Sequence, residues 1–252
     1  MINLITSFFR PENTERLNEL VVCLKNNINS KYIKKIYLFM ESKEDIEFLK
    51  ETIKTTGNKI QLILWNKQPF YSDYLECANQ LKGEICMISN ADIWLKECDV
   101  ELINLIKTNQ NIGYALTRHE YDMSCPLIDT FSPRQMSFDS FIFKSPIYID
   151  LKLINHQQNR MGSENVFKRE LENIGIVFYN PCKDIVIVHE HKSEIRNYGE
   201  DMLFAPGKKV KWIYNKKLIY SPVISKKQLI ITGFIQPSGK KFKSTFARLL
   251  RR

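Results

Sequence analysis

One acidic residue, Asp92, follows a short apolar run in a position that suits ligand binding. Residues 84–89 have the pattern of a buried strand, and the chain turns polar at Asn90 just before it reaches Asp92. In open α/β sheets, ligands bind in the crevice outside the carboxyl ends of the strands. A carboxylate placed there can hold a metal ion or a sugar hydroxyl, so Asp92 is the first candidate for chemistry.

Two histidines, His189 and His191, lie one residue apart at the end of another short apolar run. Residues i and i+2 of a strand point to the same face, so the two imidazoles are expected side by side. A structural histidine and a hydrogen-bond donor to phosphate are both consistent with this spacing.

Two further carboxylates stand out by their surroundings. Asp139 lies among aromatic residues at 138–143, where packing alone does not explain an acid. Glu164 follows Gly162-Ser163 and opens a predicted helix. An acid in a first helical turn is stabilised by the helix dipole, so position alone gives Glu164 a structural and a functional explanation of equal weight.

Strand and helix signals alternate along the chain, which predicts an α/β protein with a mainly parallel sheet because parallel neighbours need crossover connections. The predicted strands are 2–7, 35–41, 60–65, 84–89, 138–143, 176–179 and 185–189. Helices are predicted after residue 10, from 42 to about 55, and over 71–81 and 162–173. No glycine-rich dinucleotide fingerprint or P-loop occurs, which argues against both chemistries. The stretch 122–134 is long for a connector and is typical of a functional loop.

Composition is that of a soluble globular protein, with 252 residues, 44% hydrophobic and 26% charged. The first ten residues lack signal-peptide features and no window reaches about 18 uninterrupted apolar residues, so a cytoplasmic protein is expected. The six cysteines form no C-x-x-C pair and are predicted to be reduced core residues.

The net charge of +9 is concentrated at the C terminus. Residues 202–252 hold 13 Lys or Arg and no Asp or Glu, so the other 201 residues hold 24 basic and 28 acidic residues and net to −4. This split predicts either an anionic partner for the tail, membrane lipid or nucleic acid, or a solvated basic extension. We therefore divide the chain into a domain at 1–200 and a basic extension at 201–252.

The order of several separated sequence pieces resembles a GT-A glycosyltransferase of the family 2-like branch whose metal motif reads Asn-Ala-Asp-Ile. The resemblance runs from residue 2 to about residue 198. The pieces are Arg-Leu-Asn-Glu at 16–19, Cys-Leu-Lys-Asn-Asn-Ile at 23–28, Pro-Phe-Tyr-Ser-Asp-Tyr at 69–74, Ser-Asn-Ala-Asp-Ile at 89–93, Phe-Asp-Ser-Phe-Ile-Phe-Lys at 138–144, Met-Gly-Ser-Glu-Asn at 161–165, and a long piece at 179–198. This resemblance implies an α/β fold with a mixed central sheet flanked by helices.

The resemblance also implies a nucleotide-sugar donor over the N-terminal half and a divalent cation, Mn²⁺ or Mg²⁺, at its diphosphate. Asp92 would be a ligand of the cation, and His189 or His191 would complete the ligand set. Glu164 would be the acceptor-side base of an inverting transfer. Asp139 is assigned to hydroxyl groups of the donor sugar or of the acceptor.

Further donor contacts are predicted near the ends of strands and in one late loop. The predicted donor-binding residues are Thr6, Ser7, Arg10, Tyr71, Asp73, Asn90, Lys192 and Arg196. Arg10 can pair with a diphosphate. Capping of a strand-to-helix turn explains Thr6 and Ser7 as simply, and a solvated loop explains Lys192 and Arg196.

The favoured function is metal-assisted transfer of a sugar, a hexose by preference, to a glycan or lipid-linked acceptor in surface polysaccharide or glycoconjugate synthesis. Residues 208–252 would hold such an enzyme on the inner face of an anionic membrane. Two alternatives stay open, a nucleic-acid-binding protein that uses the tail and an inactive relative that binds a nucleotide sugar. The net acidic body without a nucleic-acid motif disfavours nucleic acid.

Overall fold

The computed structural model describes residues 1–53, 57–125, 134–135, 138–158, 160, 162–193 and 221–222. Its helices are α1 Thr14–Asn29, α2 Lys43–Thr52, α3 Tyr71–Asn79, α4 Val100–Thr108 and α5 Ser163–Asn173, with 3₁₀ turns at Gly57–Lys59 and Leu151–Ile154. Its strands are β1 Ile2–Phe8, β2 Ile33–Met40, β3 Ile60–Leu64, β4 Ile85–Ser89, β5 Ile93–Cys98, β6 Ile112–Leu116, β7 His119–Glu120, β8 Arg134–Gln135, β9 Ser140–Lys144, β10 Val177–Tyr179, β11 Ile185–His189 and β12 Ser221–Pro222.

The central sheet has seven strands in the order β10-β6-β9-β4-β1-β2-β3. Six of them run parallel, and β9 runs antiparallel between β4 and β6. Ser140, the first residue of β9, pairs with Ser89 and Leu116, the last residues of β4 and β6. The reversed strand therefore begins at the edge where its neighbours end, and the prediction of a mixed central sheet is confirmed.

A smaller sheet lies beside this edge, with strand order β5-β11-β7. Strand β5 begins directly after Asp92, and its first residue, Ile93, pairs with His189 at the end of β11. His189 also pairs with Glu120 of β7. This pairing fixes the backbone of Asp92 next to that of the first histidine.

Alternating burial along the strands builds a hydrophobic core on each face of the central sheet. Leu4 and Met87 belong to one core, whereas Ile5 and Ile88, their chain neighbours, belong to the other. This is the period of two expected for a strand buried on both faces. Gly113 of β6 is required by the close approach of Phe178, because a Cβ at Gly113 would lie 2.6 Å from the Phe178 ring.

Side-chain caps begin the first two helices. Asn13 accepts a hydrogen bond from the Arg16 backbone N–H at 2.8 Å and caps α1. Ser42 accepts from the Asp45 N–H at 3.0 Å and caps α2, so the helix begins where it is predicted and ends at Thr52, three residues before the predicted end.

All six cysteines are buried thiols, which confirms their assignment to the core. Burial raises the pKa of Cys77 to about 11 and the pKa values of Cys86, Cys98 and Cys182 to about 12. Among the helices in the described part of the chain, none has the length and apolar character needed to cross a membrane.

No element is predicted between residues 93 and 118, where the structure has β5, α4 and β6. The predicted strand at 35–41 begins two residues earlier at Ile33, and the predicted helix at 71–81 ends at Asn79. The predicted boundary near residue 200 and nearly all of the basic extension lie outside the described residues, so both stay predictions.

Candidate active site

Asp92 and the two histidines meet at the carboxyl edge of the central sheet. Ser89 ends β4, and the Ile93 N–H closes a turn onto the Asn90 carbonyl at 3.3 Å, which places Asp92 just beyond the edge. The Glu190 N–H donates to the Asp92 carbonyl at 3.0 Å. The short β5–β11 pairing thus brings together side chains almost 100 positions apart in the sequence.

The side chains of Asp92, His189 and His191 offer one carboxylate oxygen and two imidazole nitrogens within 4.8 Å of one another. Asp92 Oδ2 lies 3.2 Å from His189 Nε2 and 4.0 Å from His191 Nδ1, and the two rings stack with centroids 5.0 Å apart. Glu120 holds the other nitrogen of His189, with 3.0 Å between Oε2 and Nδ1. Carboxylate and imidazole ligands oriented in this way fit a divalent transition-metal ion.

An arginine that sequence analysis gave no role lies against this triad. Arg16 Nη2 donates to Asp92 Oδ2 at 2.6 Å, and Arg16 Nη1 lies 2.9 Å from His191 Nδ1. Nη1 also donates to Glu19 Oε2 at 2.8 Å. We call Arg16, Glu19, Asp92, His189 and His191 the cation cluster.

Helix α1 holds Arg16 and Glu19 in place through a buried asparagine further along the helix. The Asn27 side chain donates to the Ile93 carbonyl at 2.9 Å and accepts from the Leu95 N–H at 3.0 Å, as a strand neighbour would. This bond ties α1 to β5, the strand that starts beside Asp92.

Charges in the cation cluster are mutually compensated. Burial opposes ionisation of the carboxylate, but the hydrogen bond with His189 and the charge of Arg16 outweigh it and hold the pKa of Asp92 well below its usual range. Burial likewise opposes protonation of His189, yet its hydrogen bond to Asp92 raises its pKa. Both partners are therefore stabilised in their charged forms.

A second group of polar residues, the carboxylate cluster, lies beside the first and consists of Asn90, Arg118, Asp139 and Glu164. Arg118 Nη1 donates to Asp139 Oδ1 at 3.1 Å, and Asn90 Nδ2 donates to the same oxygen at 3.3 Å. Asp139 Oδ2 and Asn90 Oδ1 are buried and accept no hydrogen bond from the described residues. Two buried acceptor oxygens thus lack a donor among the described residues, and a ligand hydroxyl is one group that can supply it.

Glu164 stands in the first turn of α5, which begins at Gly162 in the left-handed conformation with φ 81°. Burial raises the pKa of Glu164 to about 8, and the nearby charge of Asp139 acts in the same direction. Burial also raises the pKa of Asp139, although Arg118 opposes the rise. A carboxylate whose pKa lies near neutrality is suited to proton transfer.

The predicted donor-binding residues fall into different environments. Thr6 donates to the Ser89 carbonyl at 2.9 Å, and Asp73 accepts from the Phe70 N–H at 2.8 Å and from Trp65 at 3.1 Å. Tyr71 is 1% exposed and stacks on Phe167, with 4.4 Å between ring centroids.

Three more predicted donor residues lie on or near the same edge. The Ser7 hydroxyl bonds the Tyr74 side chain, and Arg10 lies 3.9 Å from Asp45 and half exposed. Lys192 pairs with Glu190 at 2.9 Å, and its side chain is 58% exposed. Arg196 lies outside the described residues. None of these contacts tests a role in donor binding.

Sequence reasoning missed Arg16, Glu19, Arg118 and Glu120. A signal existed for the first two, because Arg16 and Glu19 begin and end the Arg-Leu-Asn-Glu piece at 16–19 and an i, i+3 spacing puts them on one helix face. No such signal existed for Arg118 and Glu120, because their contacts with Asp139 and His189 join positions 21 and 69 residues apart and depend on the tertiary fold.

No protein-family model matches the chain, and no curated protein matches it either. Solved structures do match. They include S. aureus TarS 1–349 in complex with UDP-GlcNAc, with TM-score 0.54 and 9% identity over 77% of this chain and 60% of that one. A mannosyltransferase from Pyrobaculum calidifontis in complex with GDP-Man and Mn²⁺ gives TM-score 0.52 and 12% identity over 77% and 58%. GalNAc-T7 with UDP, GalNAc and Mn²⁺ gives TM-score 0.51 and 13% identity over 77% and 44%.

These similarities concern the fold, because all three identities are low. This chain matches 60% or less of the length of each of the three structures. The seven-stranded mixed sheet with flanking helices is nevertheless the arrangement that they share. The fold of this chain is therefore that of the GT-A glycosyltransferases.

Proposed function

We propose that this chain is a glycosyltransferase that moves a sugar from a nucleotide-sugar donor to an acceptor hydroxyl. The observation that carries the proposal is the meeting of the Asp92-His189-His191 triad with Asp139 and Glu164 at one edge of a GT-A sheet. The three similar structures contain a nucleotide or nucleotide sugar, and two of them contain Mn²⁺. The Asn-Ala-Asp-Ile motif at 90–93 supports placement in the family 2-like branch.

Asp92, His189 and His191 are the residues that would hold the divalent cation. When bound, the cation supplies positive charge that stabilises the departing nucleoside diphosphate. Two imidazoles among three ligands favour Mn²⁺ over Mg²⁺, which prefers an all-oxygen shell.

Glu164 is the proposed base that takes the proton from the attacking acceptor hydroxyl. That hydroxyl then attacks the anomeric carbon opposite the leaving diphosphate, so a single displacement inverts the configuration. The raised pKa of Glu164, about 8, supports this role because it brings the proton affinity of the carboxylate closer to that of the group it deprotonates.

Asp139 and Asn90 are proposed to hold sugar hydroxyl groups. The two buried acceptors, Asp139 Oδ2 and Asn90 Oδ1, suit the hydroxyl donors of a hexose. Of the other predicted donor residues, Arg10 and Lys192 have exposed cationic groups that can reach a diphosphate. We keep Thr6, Ser7, Tyr71, Asp73 and Arg196 as proposed contacts to the donor.

For the acceptor we propose a glycan or a lipid-linked sugar in surface polysaccharide or glycoconjugate synthesis, with the protein on the cytoplasmic face of a membrane. The basic residues of 208–252 support this placement, because clusters of Lys and Arg attract anionic lipid. Co-sedimentation of the full chain, and of a chain ending at residue 206, with phosphatidylglycerol vesicles tests it. Loss of binding on truncation is expected, whereas binding of RNA but not of vesicles would contradict it.

The donor site is tested by a thermal-shift panel of UDP-, GDP-, CMP- and dTDP-sugars with and without Mn²⁺. We expect one nucleotide class to raise the melting temperature of the wild type only when Mn²⁺ is present. The same shift should be absent in Asp92→Ala. A matched control is Asp122→Ala, which removes an exposed carboxylate elsewhere on the surface. Equal stabilisation of the wild type and Asp92→Ala would remove Asp92 from the donor site.

A further inference from the structure

The cation cluster contains a built-in positive charge at the place where a divalent cation would bind. Arg16 contacts Asp92 Oδ2 at 2.6 Å and His191 Nδ1 at 2.9 Å. An arginine side chain only donates hydrogen bonds, so His191 Nδ1 must be the acceptor and its lone pair points at the guanidinium. Arg16 therefore covers ligand atoms of two of the three residues in the triad.

A guanidinium and a divalent cation cannot share these atoms. A cation bound to Asp92 Oδ2 would lie within a few ångströms of Arg16, where the repulsion of like charges is strong because the cluster is largely shielded from water. Arg16 and Asp92 each have 15% of their side chains exposed, and Glu19 has 6%. One of the two positive groups must leave for the other to bind.

Arg16 has a second carboxylate partner, Glu19, with which it can stay paired after it leaves Asp92. Glu19 Oε2 accepts from Arg16 Nη1 at 2.8 Å, so the guanidinium can release Asp92 without losing all of its charge compensation. Glu19 itself is held by the backbone N–H groups of Lys192 and Ser193, at 2.6 and 2.7 Å. The Glu19 carboxylate, which would keep Arg16 after its release from Asp92, is thus held in place by the backbone that follows His191.

We propose that Arg16 is a resident cation that a divalent metal ion must displace from Asp92 and His191. The inference rests on the proposed metal-binding role of this triad. Arg16 keeps the site assembled before the metal arrives, because it bonds both Asp92 and His191, and it lowers the affinity of the free protein for the metal. The donor diphosphate, by attracting the displaced guanidinium, would favour metal and donor binding together.

The test is the affinity of the full chain for Mn²⁺ alone, measured by electron paramagnetic resonance of free Mn²⁺ without any donor. Arg16→Gln should bind Mn²⁺ at least about tenfold more tightly than the wild type, since the metal no longer breaks a charge-assisted hydrogen bond. Arg16→Lys keeps a positive charge and should stay close to the wild type. Lys25→Gln removes an exposed charge from the same helix and should change nothing.

Each outcome decides the proposal. Damage to the fold would weaken Mn²⁺ binding, so tighter binding by Arg16→Gln cannot arise from a structural defect. Unchanged or weaker binding by Arg16→Gln, or equally tight binding by Arg16→Lys, overturns the competition. The Asp92→Ala variant separates this failure from failure of the metal site. If Mn²⁺ still binds to Asp92→Ala, or binds to none of the proteins, then the metal site itself is overturned, and the competition with it.

Discussion

The two halves of the candidate site treat their carboxylates in opposite ways. In the cation cluster, Asp92 contacts Arg16 and His189, and its pKa lies well below the usual range. In the carboxylate cluster, Asp139 and Glu164 share one arginine, and the pKa values of both are raised by burial. Both clusters lie at the same edge of the same sheet, so the number of cationic neighbours makes the difference.

This contrast assigns different tasks to chemically similar groups. A carboxylate held in its charged form is suited to a permanent cation contact, whereas a carboxylate with a raised pKa is suited to gaining and losing a proton. The two environments shift the pKa values of the acids in opposite directions. Enzymes use such shifts to give some carboxylates a role in proton transfer and others a role in stabilising charge.

The largest effect is expected from Glu164→Gln. If Glu164 is the base, its loss should lower the transfer rate by about 10² to 10⁴-fold while donor binding is kept, because only the proton acceptor is removed. Release of nucleoside diphosphate in the presence of acceptor measures the rate. Glu170→Gln on the same helix is the matched control, and equal rates in the two variants would give Glu164 a structural role.

The pH dependence of the wild type gives a second test of Glu164. Activity should rise with pH and level off above about 8, because the base acts in its ionised form. Stability should change in the opposite sense. The folded protein keeps a proton that the unfolded chain loses near 4.5, so the free energy of unfolding falls as pH rises from about 4.5 to about 8.

Glu164→Gln should remove that fall, since glutamine cannot ionise. Its melting temperature should exceed that of the wild type by about 3 °C or more at pH 8, and by less at pH 5. Differential scanning calorimetry at the two pH values measures this. A pH-independent difference would mean that Glu164 is not buried in its neutral form.

A large loss of stability is expected from Asp92→Ala without added metal. The substitution removes the carboxylate that Arg16 and His189 share, while Glu19 and Glu120 still compensate part of their charge. Breaking a buried pair in this way costs up to about 3 kcal/mol. Urea unfolding at pH 7 measures the change. Asp92→Asn retains a hydrogen-bond acceptor and should lose less, and a loss below about 1 kcal/mol for Asp92→Ala would show that the cation cluster is not preassembled.

A smaller effect is expected from Asp139→Asn, which replaces one buried acceptor by a donor. The KM for donor or acceptor should rise about tenfold, the loss of roughly one hydrogen bond to a charged group, with a smaller change in kcat. Asp150→Asn, at an exposed position, is the control. Unchanged KM values for both substrates would remove Asp139 from hydroxyl recognition.

The smallest effect on stability is expected from Lys192→Met. The Lys192 ammonium group is exposed although Glu190 is buried, so water screens the ion pair and its loss should leave the urea midpoint close to that of the wild type. The Lys192 backbone N–H keeps its bond to Glu19 in this variant. A destabilisation as large as that of Asp92→Ala would show that charge on the segment after His191, rather than its backbone, holds the cation cluster together.

Much of the fold could be predicted because its strands are short apolar runs that alternate with amphipathic helices. The strand before Asp92 and the strand after Asp139 were predicted, and the polar step at Asn90 correctly marked a sheet edge. The segment at 93–118 was missed in part because the alternation of buried and exposed residues in β5 is interrupted by the adjacent polar residues Lys96 and Glu97. The polar residues Asn109, Gln110 and Asn111 do separate α4 from β6 and are a boundary that the sequence offers.

The candidate site was only partly accessible for a different reason. Individual residues with unusual surroundings, such as Asp139, can be recognised in the sequence, whereas partners cannot. Arg16 and Asp92 lie 76 positions apart and meet only because Asn27 ties α1 to β5. Likewise, the raised pKa of Glu164 follows from burial, which no local pattern encodes.

The buried cysteines make this protein convenient for spectroscopy. Thiols react with maleimides and iodoacetamides as thiolates. All six native thiols are buried, and burial raises the pKa of Cys23, Cys77, Cys86, Cys98 and Cys182, which keeps these five protonated at neutral pH. A single cysteine introduced at an exposed position such as Lys25 can then be labelled selectively while the native thiols are left in place. A spin label or fluorophore there would report movements of α1 without the need for a cysteine-free background.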